Sequence, residues 1–263
     1  MLPDFELIKH KLPYNEVIIV PVSDVHLGAL EHCRPQWETF CKFVLDTPNC
    51  YILLGGDLIN NSIRTSVANP FDEVIRPREQ KERMVENLKP IRDRILCAVS
   101  GNHERRTTKD TDMDLTYDIM AKLDLEHLYR ENIAFVKLGL GLRTTGDYPE
   151  TSFVLGVTHG AGGGIFTGAA VNRNERFGNI IEGLDALVVG HTHKGAITRP
   201  SKIVVDTVRE KVSMKDYTVV SSVSWLNYGG YAAQKMLLPS QSATPQRLIL
   251  GGTKDKKLLE VRW

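Results

Sequence analysis

The chain has 263 residues, 42% of them hydrophobic and 25% charged, with a formal net charge of +1 at pH 7. That is ample apolar material for an α/β core, and the expectation is a single domain over residues 1–263. The near-neutral balance provides no global field for nucleic acid, so any basic footprint must be local.

Three segments offer one: Arg76 to Arg83, Arg105-Arg106 with Lys109, and Lys254 to Lys257. A solvated surface is the plainer reading of each. The first ten residues include Asp4 and Glu6 and no long apolar stretch, which argues against a signal peptide. The longest apolar runs, such as Val17 to Val22, are of strand length and far short of a membrane span. Cys33, Cys41, Cys50 and Cys97 form no Cys-x-x-Cys pair and read as reduced thiols of a cytoplasmic protein.

In chain order, short β-branched runs predict buried strands at Val17–Val22, Tyr51–Leu54, Ile95–Val99, Phe153–Val157 and Leu187–Val189. Helical patterns lie between them. Pro35 to Leu45 is the first, with proline suited to an opening turn. In the second, Glu79 to Lys89, Met84 and Leu88 share a face with Ile91 beyond it. Asp114 to Leu123 and Asn172 to Ile181 follow. Asn60 to Pro77 is a long connection of the kind that often carries function, and Gly160 to Gly168 reads as a loop. The last third (Lys202–Val205, Tyr217–Val220, Arg247–Leu250 and Leu258–Val261) predicts strands without helices between them. A second, largely antiparallel sheet packed on the first is therefore expected.

Five motifs sit where predicted strands stop: Asp24-Val25-His26, Gly56-Asp57, Gly101-Asn102-His103-Glu104, His159-Gly160 and Gly190-His191-Thr192-His193. No one of them is specific alone. In open α/β sheets ligands bind beyond the carboxyl ends of strands, so these residues should converge in one crevice. A carboxylate and imidazole set suits Mn²⁺, Fe²⁺ or Zn²⁺, Mn²⁺ being the first expectation. Two cations sharing a carboxylate can acidify a water and hold both the attacking and the leaving oxygen of an in-line displacement. Phosphate esters suit such a site because their transfer is mostly positioning and charge neutralisation.

In these motifs, from about Val17 to Lys194, the chain resembles the calcineurin-like metallophosphoesterase superfamily. The resemblance implies one metal held by Asp24, His26 and His193. It implies a second held by Asn102, His159 and His191, with Asp57 bridging both. His103 would be no ligand but a catalytic residue that protonates the leaving alkoxide or stabilises the transition state. The implied fold is a four-layer αββα sandwich of two mixed sheets. Glu104 reads as a supporting group, and His10, His32 and His127 fall outside the pattern.

Protein phosphatases of the superfamily carry an arginine shortly after Gly-Asp, whereas here Asp57 is followed by Leu58-Ile59-Asn60-Asn61. Arg64 or Arg105-Arg106 could substitute. The chain looks more like the phosphodiesterase and DNA-repair-nuclease branch, with DNA or RNA as candidate substrate and no membrane partner. Trp225, Tyr228 and Tyr231 could stack on bases, though burial in the second sheet is the plainer reading. The alternatives are a phosphomonoesterase acting on a nucleotide or other small molecule, and a non-catalytic scaffold subunit.

Overall fold

The computed structural model describes residues 3–64, 66, 70–142, 149–164, 166–239, 244–253 and 256–263. Its strands begin with β1 (Ile8–Leu12), β2 (Val17–Val22), β3 (Cys50–Leu54), β4 (Ile95–Val99) and β5 (Tyr129–Arg130). Next come β6 (Ile133–Leu142), β7 (Pro149–Thr158), β8 (Ala186–Val189), β9 (Ala196–Thr198) and β10 (Ser201–Asp206). The last four are β11 (Lys211–Asp216), β12 (Thr218–Ser221), β13 (Arg247–Gly252) and β14 (Lys257–Arg262). The helices are α1 (Arg34–Asp46), α2 (Pro77–Leu88), α3 (Glu104–Thr111), α4 (Leu115–Lys122), α5 (Thr167–Asn179) and α6 (Gly230–Gln234).

Two six-stranded mixed sheets form the body, one ordered β14-β13-β2-β3-β4-β5 and the other β1-β6-β7-β8-β12-β9. In the first, β2 to β5 run parallel and β13 is antiparallel to β2. In the second, β7, β8 and β12 are parallel. Every residue of β3 and β4 is buried, as parallel strands covered on both faces must be. The faces of β8 show how the layers are built. Ala186 and Val188 join the large core between the sheets, while Leu187 and Val189 turn the other way and pack with Leu184, Tyr217 and Val219. Tyr217 Oη reaches α5 there, donating to Asn179 Oδ1 at 2.8 Å. Helix α4 packs on β4 and β5, with α2 beside it. The fold is the expected αββα sandwich.

The helical expectations hold at α1, α2 and α4. Met84 and Leu88 are fully buried and Ile91 nearly so, and Asp114 caps α4 by accepting from the Thr116 and Tyr117 amides at 3.0 Å each. Three expectations are corrected. The second sheet is not the last third of the chain: β7 and β8 belong to it, while β13 and β14 pair onto β2 and extend the first sheet. Among the described residues β10 and β11 pair only with each other. Helix α5, expected from Asn172, starts at Thr167, inside the glycine-rich stretch, of which residue 165 lies outside the described residues. Of the Asn60 to Pro77 connection, residues 65 and 67–69 lie outside the described residues, as does Lys254 of the last basic segment.

Candidate metal and phosphoester site

Both sheets deliver side chains to one place. Asp24 and His26 follow β2, Asp57 follows β3, and Asn102 and His103 follow β4; His159 follows β7, and His191 and His193 follow β8. The crevice therefore lies across the ends of two stacked sheets rather than along one.

The loops that hold these residues are strained. Asp24, His26, Asp57, His191 and His193 have φ of 56°, 48°, 51°, 71° and 56°. Left-handed backbone is uncommon outside glycine and costs on the order of 1–3 kcal/mol per residue. Its concentration on five of the seven predicted ligands marks a site whose geometry the surrounding structure imposes. Close approach adds to this constraint. A Cβ on Gly101 would stand 2.1 Å from the Asp57 amide nitrogen, and one on Gly190 would stand 2.0 Å from Ser23 Oγ. Only glycine lets these turns meet.

Three groups of donor atoms, each within 4.8 Å of one another, could hold a cation: Asp24 with His26 and His193, His26 with Asp57 and His103, and Asp57 with His159 and His191. Asp57 is common to the last two. In the first group His193 Nε2 lies 3.1 Å from Asp24 Oδ1 and 3.2 Å from His26 Nε2. In the last, Asn102 Oδ1 lies 2.9 Å from His159 Nε2 and 2.6 Å from His191 Nδ1.

The donor set fits divalent cations. His159 Nδ1 donates to Gly55 O at 2.8 Å, which leaves Nε2 as the bare nitrogen of the neutral ring. That lone pair faces Asn102 Oδ1, and Asp57 Oδ2 at 3.3 Å. Three acceptors converging on one point repel unless positive charge stands between them. Asp24 Oδ1 is buried and, apart from His193 Nε2 at 3.1 Å, meets no donor among the described residues.

The electrostatics agree. Burial alone would raise the Asp24 carboxyl, but His193 and His159 overcome it and hold it at about 2. Burial also opposes ionisation of Asp57, yet His103 and His159 keep it well below the usual carboxylate range. For His159 burial works against protonation, and the Asp57 carboxylate outweighs it, raising the ring to about 10. Positive charge is thus favoured where these acceptors converge. His26 is shifted the other way, lowered by burial and then by His103.

Several supporting residues carry no signal in the sequence. Asn60 Oδ1 takes His26 Nδ1 at 3.2 Å, which turns Nε2 into the site, and Asn60 Nδ2 donates to Glu73 Oε1 at 2.9 Å. Carboxylate, amide and imidazole form a chain that orients the ring. Glu104, expected as a support, is fully buried, and its carboxylate accepts from the amides of Asp57, Gly101 and Ile59 at 3.0, 3.1 and 3.1 Å. It ties the turns after β3 and β4 together.

His103 stands apart from the other imidazoles. Its Nδ1 meets Asn60 O at 2.6 Å, its amide donates to Asp57 Oδ1 at 2.8 Å, and Arg106 Nη2 lies 2.9 Å from its Nε2. The neighbouring Arg105 turns away and donates to the carbonyls of Ser100 and Glu131. Arg64 is exposed. Trp225 is buried, but against α1 rather than in the second sheet, with its ring centroid 5.2 Å from Trp37 and 4.8 Å from Phe40. Tyr228 is exposed and donates to Leu237 O at 3.0 Å, and the Tyr231 side chain lies outside the described residues. His10 and His32 bond to the backbone oxygens of Leu96 and Val25.

Residues 18–195 match the family model of the calcineurin-like phosphoesterases. Among solved structures the chain is similar to a predicted phosphoesterase from Streptococcus pneumoniae, at 12% identity and a TM-score of 0.33, over 89% of this chain and 82% of that one. It is also similar to a metallophosphoesterase from Sphaerobacter thermophilus, at 14% identity and a TM-score of 0.37, over 89% and 83% of the two chains. No curated protein matches it.

Proposed function

Because the chain belongs to the calcineurin-like phosphoesterase family, matched over residues 18–195, we propose that it hydrolyses phosphodiesters with two divalent cations. Asp24, His26 and His193 would hold one, Asn102, His159 and His191 the other, with Asp57 shared. Such a pair, when bound, acidifies a water and neutralises phosphoryl charge; among Mn²⁺, Fe²⁺ and Zn²⁺ we favour Mn²⁺ for this oxygen and imidazole set. His103 stays outside the ligand set. Its Nε2 already accepts from the Arg106 guanidinium, and a cation placed beside that group would be repelled. Seated at the rim of the carboxylate cluster, with Nε2 3.8 Å from Asp57 Oδ2, it is placed, once Nε2 is released from Arg106 and protonated from solvent, to give that proton to a departing alkoxide.

The preference for diesters rests on one observation. Leu58 and Ile59, directly after Asp57, are fully buried, so the turn that carries a clamping arginine in protein phosphatases has no side chain to offer a phosphoryl group. A monoester dianion calls for guanidinium groups matched to its oxygens, whereas a diester monoanion needs fewer. Higher kcat/KM on bis-p-nitrophenyl phosphate than on p-nitrophenyl phosphate is expected with Mn²⁺, and the reverse order would sink this reading. In its narrower form the proposal is a nuclease. It follows from the diester preference rather than from any stacking platform, and is tested with single-stranded and nicked DNA and with RNA.

One observation favours the second reading, a phosphomonoesterase. Among the described residues one guanidinium, that of Arg106, does stand in the site. The scaffold reading is opposed by the complete set of donor groups. Among the described residues no helix is long and apolar enough to cross a membrane. The free cysteines suit a reducing compartment, and the cytoplasm is the location we propose.

A further inference from the structure

We propose that Arg106 is the phosphoryl-binding residue of this site, and that it leaves His103 to take a non-bridging oxygen of the substrate. The inference rests on the phosphoesterase reading above and adds a specificity-determining residue to it. His103 immediately precedes α3 with helical backbone, so residues 103 and 106 are one turn apart and their side chains share a face. The guanidinium is half-buried, with Nη1 donating to Asn60 O at 3.3 Å and Nη2 pointing to His103 Nε2 at 2.9 Å. Neither partner is a carboxylate. An arginine this close to Asp57, Glu104 and Glu73 feels the pull of all three, yet no ion pair forms between it and any of them among the described residues.

A guanidinium presents five N–H donors in a planar fork and is best satisfied by paired anionic oxygens. Among the described residues it is held by one carbonyl oxygen and one imidazole nitrogen, both neutral acceptors. A phosphoryl group entering beside Asp57 would offer stronger ones. His103 is arranged to make the exchange cheap, because its Nδ1 stays bonded to Asn60 O at 2.6 Å whichever way Arg106 turns. Moving Arg106 onto the substrate therefore frees His103 Nε2 without releasing the ring. The contact between Arg106 and His103 is the resting arrangement, and the anion is what breaks it. The adjacent Arg105, bonded to backbone carbonyls at the other side of the helix, has no such freedom.

The experiment compares wild type, Arg106→Ala, Arg106→Lys and Lys109→Ala as full-length, Mn²⁺-loaded protein. Binding of inorganic phosphate is read by calorimetry, and KM and kcat are read on bis-p-nitrophenyl phosphate. Arg106→Ala should weaken phosphate binding and raise KM by about 10–100-fold, the range for a lost hydrogen bond to a charged group. Metal content and melting temperature should stay at wild-type values. Arg106→Lys should recover part of the loss, and added guanidinium ion should rescue Arg106→Ala but not wild type. Lys109→Ala, which removes the same charge from an exposed position on the same helix, should change neither constant more than about twofold, as surface charges are screened. Unchanged phosphate affinity in Arg106→Ala would overturn the assignment, including the case where kcat alone falls. A wild type that prefers monoesters would contradict the diester reading and leave the Arg106 assignment to stand or fall on phosphate affinity.

Discussion

Arg106 Nη2 lies 2.9 Å from His103 Nε2, while His103 Nδ1 lies 2.6 Å from Asn60 O. Both ring nitrogens of His103 are thus spoken for by this chain, in contrast to His159, whose Nε2 opens onto acceptors. Two histidines of one site are assigned different work by what surrounds them.

The first prediction follows. His103→Ala should retain its full metal content and lose roughly 10²–10⁴-fold in kcat on diesters with alkoxide leaving groups, the usual contribution of a positioned proton donor. The loss should be smaller on p-nitrophenyl esters, whose leaving group needs little protonation. Elemental analysis and rates on the two substrate types check it. Metal loss comparable to that of His191→Ala would remove His103 from the proton-transfer role.

The proposed sharing of Asp57, which belongs to one donor group with His26 and His103 and to another with His159 and His191, gives a second. Asp57→Asn should lower metal content at both positions. Metal analysis that finds two ions undiminished in the variant would rule out sharing.

The third concerns the frame beneath the site. Glu104→Gln replaces one of two acceptor oxygens by a donor, and these oxygens take three buried amides, those of Asp57, Gly101 and Ile59. Whichever way the new amide turns, its NH₂ faces at least one N–H. A loss of about 1–3 kcal/mol in unfolding free energy is expected for a buried donor left unmet. Chemical denaturation of the metal-free proteins measures it, and unaltered stability would show that the turns after β3 and β4 are held by something else.

A fourth uses the thiols. Burial, and then Glu38, pushes the Cys41 thiol up to about 12, and burial takes Cys50 to about 11 despite Arg247 and Arg94 nearby. A raised thiol pKa leaves little thiolate at pH 8, so native Cys41 and Cys50 should react with a disulfide reagent far more slowly than in the unfolded chain. Rising pH should speed the reaction up to those values. Rapid native labelling at pH 8 would contradict the packing of α1 and β3.

The ligand-type residues were legible because each follows a short apolar run and comes with a glycine that allows a tight turn. What surrounds them was not. Asn60, Glu73 and Arg106 act through contacts made across loops, and nothing about an Asn-Asn or Arg-Arg pair in a chain announces the imidazole it will meet. Sheet membership was equally hidden. β7 and β13 have similar local patterns, and only tertiary pairing assigns one to each sheet. β1, Ile-Lys-His-Lys-Leu, has too little apolar character to stand out, since only Ile8 and Leu12 are buried at that edge. Helix α3 carries almost no apolar side chain, and its buried anchor is a carboxylate, Glu104.

The claim that the five strand-end motifs build one dinuclear centre is tested most directly by anomalous diffraction from crystals grown with Mn²⁺. The account predicts two peaks roughly 3.5–4 Å apart, the usual spacing of paired catalytic cations, lying on either side of the Asp57 carboxylate. One peak should be ringed by Asp24, His26 and His193 and the other by Asn102, His159 and His191. A single peak, or a second one coordinated by His103 in place of His26, would contradict it.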